Sequence, residues 1–278
     1  MKPQQKQSSA RSRVGARLCD AAWHRLALVF IALLACSPSA TLAAEPVKNI
    51  VLVHGAFADG SSWARVIPIL QAQGYNVTAV QNPLTSLADD VAATQRAIAR
   101  QDGSVILVGH SWGGVVITEA GMDPKVVGLV YVAAFAPDQG EQVGELGKKY
   151  PSPPALAAPQ VDKQGFLTLS ADAFKKFGSD LPEREALVAA ATQGPIAASA
   201  FGAQVSEAAW KTKPSWYIVS TLDQAIAPDE ERFFAKRMNA TTTELKASHV
   251  SMLSQPKAVA AVIMDAAVKA QGGKTATN

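Results

Sequence analysis

Short, nearly continuous apolar runs recur along this chain, separated by stretches of helix length. The runs are Lys48–Val53 (KNIVLV), Tyr75–Val80, Val105–Val108, Val126–Ala134 (VVGLVYVAA), Trp216–Ser220 and Thr243–Ala247. Strands that are apolar throughout, rather than at alternate positions, belong to a sheet covered on both faces, which is the habit of parallel strands. The intervening segments read as helices. Trp63–Gln73 is closed by Gly74; Leu87–Gln101 puts Leu87, Val91, Thr94 and Ile98 on one stripe, with Asp89 and Asp90 near the start, where the helix dipole favours acids. Pro228–Met238 opens on proline and closes on Lys236 and Arg237, and Pro256–Val268 forms the last helix before a polar tail over Gln271–Asn278. The alternation predicts an α/β fold, a mostly parallel sheet of about six strands with helices on both faces.

Residues 137–210 interrupt that alternation. They contain Pro151, Pro153, Pro154 and Pro159, a short apolar run over Gly165–Leu169 and alanine-rich helical pieces. Inserted between two strands, such a segment is expected to form a helical lid over the C-terminal edge of the sheet. Phe166, Phe174, Phe177, Leu187 and Phe201 give it apolar area to bury, which a disordered insertion lacks. The core is then assigned to residues 45–136 and 211–278.

The first 44 residues follow another pattern. Six basic side chains (Lys2, Lys6, Arg11, Arg13, Arg17, Arg25) stand against one acid, Asp20, and are followed by the 11-residue apolar run Leu26–Cys36 and a small-residue exit at Thr41–Ala44. That is the form of a secretory signal peptide. The run falls short of the roughly 20 residues a membrane-spanning helix needs. Cleavage near Ala43 or Ala44 is the expected processing. Leu33–Cys36 (LLAC) also resembles a lipoprotein box, which would leave a lipid anchor at Cys36. Both readings place the protein outside the cytoplasm, periplasmic or secreted. Of the 26 basic and 23 acidic groups, the chain beyond residue 44 keeps 20 and 22, so the overall charge of +3 reflects the leader and gives no reason to expect a nucleic-acid partner. Both cysteines, Cys19 and Cys36, also lie in the leader, so thiol chemistry and disulfides are not expected in the remainder.

The chemistry is carried by Gly109-His110-Ser111-Trp112-Gly113, directly after the Val105–Val108 strand and before a helical stretch. In this setting G-x-S-x-G is a nucleophile elbow, a sharp strand-to-helix turn that exposes a serine in a strained conformation. The crowding of that turn demands glycine two positions before and after the serine. Ser111 then sits at a helix N-terminus, where backbone N–H groups favour a developing oxyanion. The His54-Gly55-Ala56-Phe57 turn follows the first strand and supplies a second N–H, from Ala56, to pair with that of Trp112. Phe57 is a candidate for substrate contact. In chains with such an elbow the order is nucleophile, acid, base. Beyond residue 44 only His54, His110 and His249 are available, and only His249 follows the serine, so His249 is the candidate base and His54 a loop-shaping residue. The acid should follow a strand; Asp223, after Trp216–Ser220, fits best. Asp138 is the alternative, and Asp229 reads as an acid at a helix start.

The segments VLVHGAFADGSSW, VILVGHSWGG, TLDQAIAPDE and ASHVSMLSQP together resemble a bacterial relative of the α/β-hydrolases that include plant methylesterases and hydroxynitrile lyases. The resemblance spans most of residues 48–268. It implies a small, mostly apolar pocket under a helical lid, hydrolysis of small carboxylic esters without metal or organic cofactor, and Asp223 as the acid through its D-x-x-I-x-P surroundings. The lyases of this group carry a lysine after the base histidine; here that position is Val250, and the cyanohydrin-lyase reading loses its cation. Lactone opening, cofactor-free oxygenation and non-catalytic ligand binding use the same scaffold and stay open as alternatives. A carboxylate-nucleophile hydrolase is disfavoured by Ser111.

Overall fold

The computed structural model describes residues 47–270; the expected leader with Cys36 and the polar tail lie outside the described residues. In chain order the elements are β1 (Asn49–Val53), α1 (Ile67–Ala72), β2 (Asn76–Ala79), α2 (Leu87–Ala99), β3 (Val105–His110), α3 (Trp112–Ala120) and β4 (Val126–Val132). There follow α4 (Val143–Leu146), β5 (Gln160–Val161), β6 (Phe166–Thr168), α5 (Ala171–Phe177), α6 (Glu183–Thr192) and β7 (Ile196–Ala197). The chain closes with β8 (Ser215–Ser220), α7 (Pro228–Arg237), β9 (Thr241–Leu245), α8 (Ser251–Ser254) and α9 (Pro256–Lys269).

Six strands form one sheet in the order β2-β1-β3-β4-β8-β9, and every neighbouring pair is parallel. The four central strands β1, β3, β4 and β8 are buried at every position. Their uninterrupted Val, Ile and Leu are what two helix layers require, and each such side chain contributes about 1.5–3 kcal/mol on leaving water. Helices α2 and α3 pack on one another beside β1 and β3, while α9 lies along β3, β4 and β8 and meets α1. Edge strand β9 (TTTEL) is half-exposed, as its polar composition dictates. Among the described residues no helix is long and apolar enough to cross a membrane.

Several boundaries differ from the sequence reading for identifiable reasons. The helix read over 63–73 is a single 3-10 turn at Gly60–Trp63 followed by α1, because Pro68 fits only in a first helical turn. Strand β4 stops at Val132, since Ala133 takes a positive φ of 43° and turns the chain. The last strand lies two residues earlier than expected, over the three β-branched threonines. The insertion between β4 and β8 is not wholly helical: β5, β6 and β7 form a small antiparallel sheet, with Gly165 at φ 83° in the β5–β6 turn. Within it Phe174 and Phe177 are buried as expected, and Leu187 is exposed.

Candidate active site

The loops that follow β1, β3, β8 and β9 bring His54–Phe57, Ser111, Asp223 and His249 to the C-terminal edge of the sheet, where ligands gather in parallel α/β folds. Ser111 caps α3 with φ 53° and ψ −120°, a conformation that costs about 1–3 kcal/mol and is held by its surroundings. Its N–H donates to Val132 O at 3.2 Å, and its carbonyl accepts from Gly114 N at 2.9 Å and Phe135 N at 3.2 Å. The flanking glycines are sterically required. A Cβ on Gly109 would stand 2.5 Å from Gly113 O, and one on Gly113 would stand 2.5 Å from Val53 O and 2.8 Å from His54 O. All of these are backbone atoms that cannot turn aside. Gly113→Ala is therefore expected to destabilise the fold by about 1–3 kcal/mol, read as a lower urea midpoint with unchanged slope, and to lower activity through displacement of the elbow.

His249 and Asp223 are both buried, and His249 Nδ1 donates to Asp223 Oδ2 at 2.6 Å. Asp223 Oδ1 accepts the N–H groups of Ala225 at 2.6 Å and Ile226 at 2.9 Å, so the carboxylate cannot rotate. His249 Nε2 is buried and has no hydrogen-bond partner among the described residues. His110, immediately before Ser111, ties the two loops: its Nε2 donates to the carbonyl of His249 at 2.9 Å, and the rings lie 4.7 Å apart. Burial and the neighbouring His249 push the His110 imidazole well below its usual range, so it stays neutral as a brace. His54 is also a brace. Its Nδ1 donates to Gly55 O at 2.8 Å and its Nε2 accepts from Asn82 N at 2.9 Å, which agrees with a loop-shaping role. The backbone N–H groups of Ala56 and Trp112 have no acceptor among the described residues.

The rival acids are engaged elsewhere. Asp138 pairs with Lys211 at 2.5 Å, and Asp229 is an exposed partner of Arg232 at 2.8 Å.

Three carboxyls have roles that sequence reasoning did not find. Asp90, read as a helix-start acid, is buried and accepts the Trp112 indole N–H at 2.8 Å and Leu84 N at 2.8 Å. It thereby fixes the side chain that follows Ser111. Glu231 is wholly buried; burial first, and the adjacent Asp223 second, push its carboxyl well up. Its Oε2 accepts Ser220 N–H at 2.9 Å, and its Oε1 has no hydrogen-bond partner among the described residues. Glu230 is 2% exposed, and its Oε1 has no hydrogen-bond partner among the described residues. Burial, then Asp223, raise it to about 7. The other titratable groups around it are Tyr150, Lys149, Glu141 and Glu145 on the facing turn, together with Lys148. A carboxyl raised on folding leaves stability intact below its unfolded value and removes it as pH climbs through the folded one, by about 3 kcal/mol in full. Glu230→Leu is expected to raise the melting temperature at pH 8 and to change it little at pH 4.5, as differential scanning calorimetry will show.

Aromatic side chains enclose the site. Phe57, at φ 58° and buried, borders three spaces: a gap of about 20 Å³ at Ser111 and two cavities of about 490 and 480 Å³. Phe177 of α5 stands edge-on to the His249 ring at 4.3 Å and borders both the gap and the larger cavity. Val250 lines that cavity too, with no cation at its position. Among the described residues no group of three or more His, Cys, Asp or Glu is arranged to hold a metal ion.

Comparison with known proteins agrees with this architecture. The chain is 28% identical to salicylic acid-binding protein 2 of Nicotiana tabacum, over 80% of its own length and 98% of that protein. It is 35% identical to the pyrethroid hydrolase of Sphingobium wenxiniae over 32% of this chain and 36% of that one. A crystal structure of a pyrethroid hydrolase superposes with a TM-score of 0.67 at 25% identity, covering 79% of this chain and 96% of that chain. Residues 50–262 match the alpha/beta hydrolase family, and the chain belongs to that family.

Proposed function

We propose that this protein is a serine esterase that cleaves small, mostly apolar carboxylic esters through an acyl-enzyme, with Ser111 as nucleophile, His249 as general base and Asp223 as its orienting acid. The observation that carries the proposal is the buried His249–Asp223 pair, with Nδ1 bound at 2.6 Å and Nε2 left without a partner, on a loop that His110 ties to the Ser111 elbow. That arrangement fixes the imidazole tautomer and leaves a basic nitrogen for the serine hydroxyl. Related proteins named as a pyrethroid hydrolase, a carbendazim hydrolyzing esterase and methylesterases support ester hydrolysis as the chemistry.

In this mechanism Ser111 Oγ attacks the ester carbonyl while His249 Nε2 takes its proton. The oxyanion accepts from the N–H groups of Ala56 and Trp112. His249 then passes the proton to the leaving alcohol. Water, activated by the same nitrogen, releases the acid product. Residues 137–210 act as the lid, and Phe177 is the lid residue that covers the base. Trp112 contributes through its backbone, its indole being anchored on Asp90. Residues 1–44 serve export, with cleavage near Ala43 or Ala44, or lipidation at Cys36 in the alternative processing; the basic-then-apolar pattern supports this reading.

The test is turnover of p-nitrophenyl esters of increasing acyl length by the purified protein. Short and medium esters should be cleaved, with a fall in kcat/KM once the acyl chain outgrows the cavity. A folded protein that cleaves none of them removes the esterase reading.

A further inference from the structure

The cavity of about 480 Å³ adjoins the gap at Ser111, since Phe57, Phe135, Phe201, Leu156 and Ala225 border both spaces. Its walls near the serine are apolar. Glu230 borders this cavity, is 98% removed from solvent, and its Oε1 has no hydrogen-bond partner among the described residues. Both carboxylate oxygens lie against the Gly147 turn, 3.8 and 4.0 Å from where a Cβ on that residue would be, so the bare glycine leaves the carboxyl open to the cavity. The cation bordering the same space does not satisfy it: Lys148 Nζ is held by both oxygens of Glu145 at 2.7 Å. A buried carboxyl with no partner is costly, and in native proteins such groups mark a function. A mostly apolar cavity with a few polar groups, here Glu230 beside Lys148, Tyr150 and Ser152, is the form of a specificity pocket.

We propose that Glu230 is the specificity-determining acceptor of this pocket, and that it recognises a hydrogen-bond donor, a hydroxyl or a protonated amine, on the part of the substrate distal to the ester carbonyl. The inference deepens the esterase reading and rests on it for the orientation of the ligand. Hydroxyl and ammonium share the chemistry, a donor to a carboxylate, and differ in what they ask of it. An ammonium needs the charge, whereas a hydroxyl needs only an acceptor. The raised titration of Glu230, near 7, makes the recognition stronger in alkaline solution.

The experiment measures binding to the Ser111→Ala protein by isothermal calorimetry at pH 8.5, so that turnover is not required. The probes are methyl hexanoate, methyl 6-hydroxyhexanoate and methyl 6-aminohexanoate. A second set, butyl acetate with 4-hydroxybutyl and 4-aminobutyl acetate, covers the opposite orientation of the ester. At least one donor-bearing ester is expected to bind about tenfold or more tightly than its plain counterpart, the usual worth of a hydrogen bond to a charged group. Adding Glu230→Leu should erase that preference while plain esters bind as well or better, which also shows that the pocket remains folded. Adding Glu230→Gln should keep a preference for hydroxyl and lose one for ammonium, which tells the two donors apart. Equal or undetectable binding throughout both sets, or a donor preference that survives in Glu230→Leu, overturns the proposal. If the wild type leaves every ester intact and the Glu230-dependent preference is present, the esterase reading falls and the donor site stands.

Discussion

Replacing Ser111 with alanine is expected to lower kcat on any ester the wild type cleaves by about 10⁴- to 10⁶-fold, with KM and the melting temperature nearly unchanged. In the proposed mechanism truncation removes the atom that attacks the ester. The proposed oxyanion donors at Ala56 and Trp112 and the pocket remain, and these still give some acceleration over water. The substitution should not harm the fold. The elbow is held by backbone bonds of Ser111 to Val132, Gly114 and Phe135, none of which uses its side chain. Its unusual backbone angles persist because the glycines around it leave no room for another arrangement. Steady-state kinetics beside circular dichroism would check both halves. A loss of less than tenfold would mean that another group is the nucleophile, or that the chemistry is not acyl transfer.

The second large effect is expected from Asp223→Asn, a fall in kcat of about 10⁴-fold with little change in size or shape of the side chain. In the wild type Asp223 accepts from His249 Nδ1 at 2.6 Å, and this places the remaining lone pair on Nε2. An asparagine turns its amide nitrogen toward the ring because its oxygen is held by Ala225 and Ile226. The imidazole must then carry its proton on Nε2, where it cannot act as base. Glu231 sharpens the prediction. Its carboxyl is pushed well up by burial and, second, by the neighbouring Asp223. With that charge removed, the upward push on Glu231 from its neighbour disappears as well. The double variant Asp223→Asn with Glu231→Gln is therefore expected to lose stability by less than the sum of the single changes, because Asp223 acts electrostatically on Glu231. Melting temperatures and kcat for the four proteins of that cycle provide the check.

The sheet and the position of the nucleophile could be read from order along the chain because both are local statements. Continuous apolar runs at Val105–Val108 and Val126–Ala134 announce strands buried on two faces, and G-x-S-x-G after a strand announces an elbow. The roles of Asp90, His110, Glu230 and Glu231 could not be read in that way. Asp90 looks like any acid in a first helical turn until Trp112, 22 residues later, is folded onto it. Glu230 and Glu231 follow a helix-opening proline and look like dipole-favoured acids on a solvated face. The structure buries them behind Asp223, where the same charge becomes a liability and the carboxyl is driven toward neutrality. The small sheet of β5, β6 and β7 was equally hidden, since strands of two or three residues leave no periodicity to detect.

By itself, then, the sequence determined the strand and helix alternation, the elbow with its two obligatory glycines, and the choice of His249 and Asp223 as candidates. These follow from steric demands and solvent exposure within short windows, which residue type alone encodes. The tertiary structure decided which acid meets the histidine, that Phe177 stands against the His249 ring, and that Glu230 is buried beside a mostly apolar cavity. Each of these depends on the distance between residues far apart in the chain and on how much water remains between them, and neither quantity exists until the loops have packed.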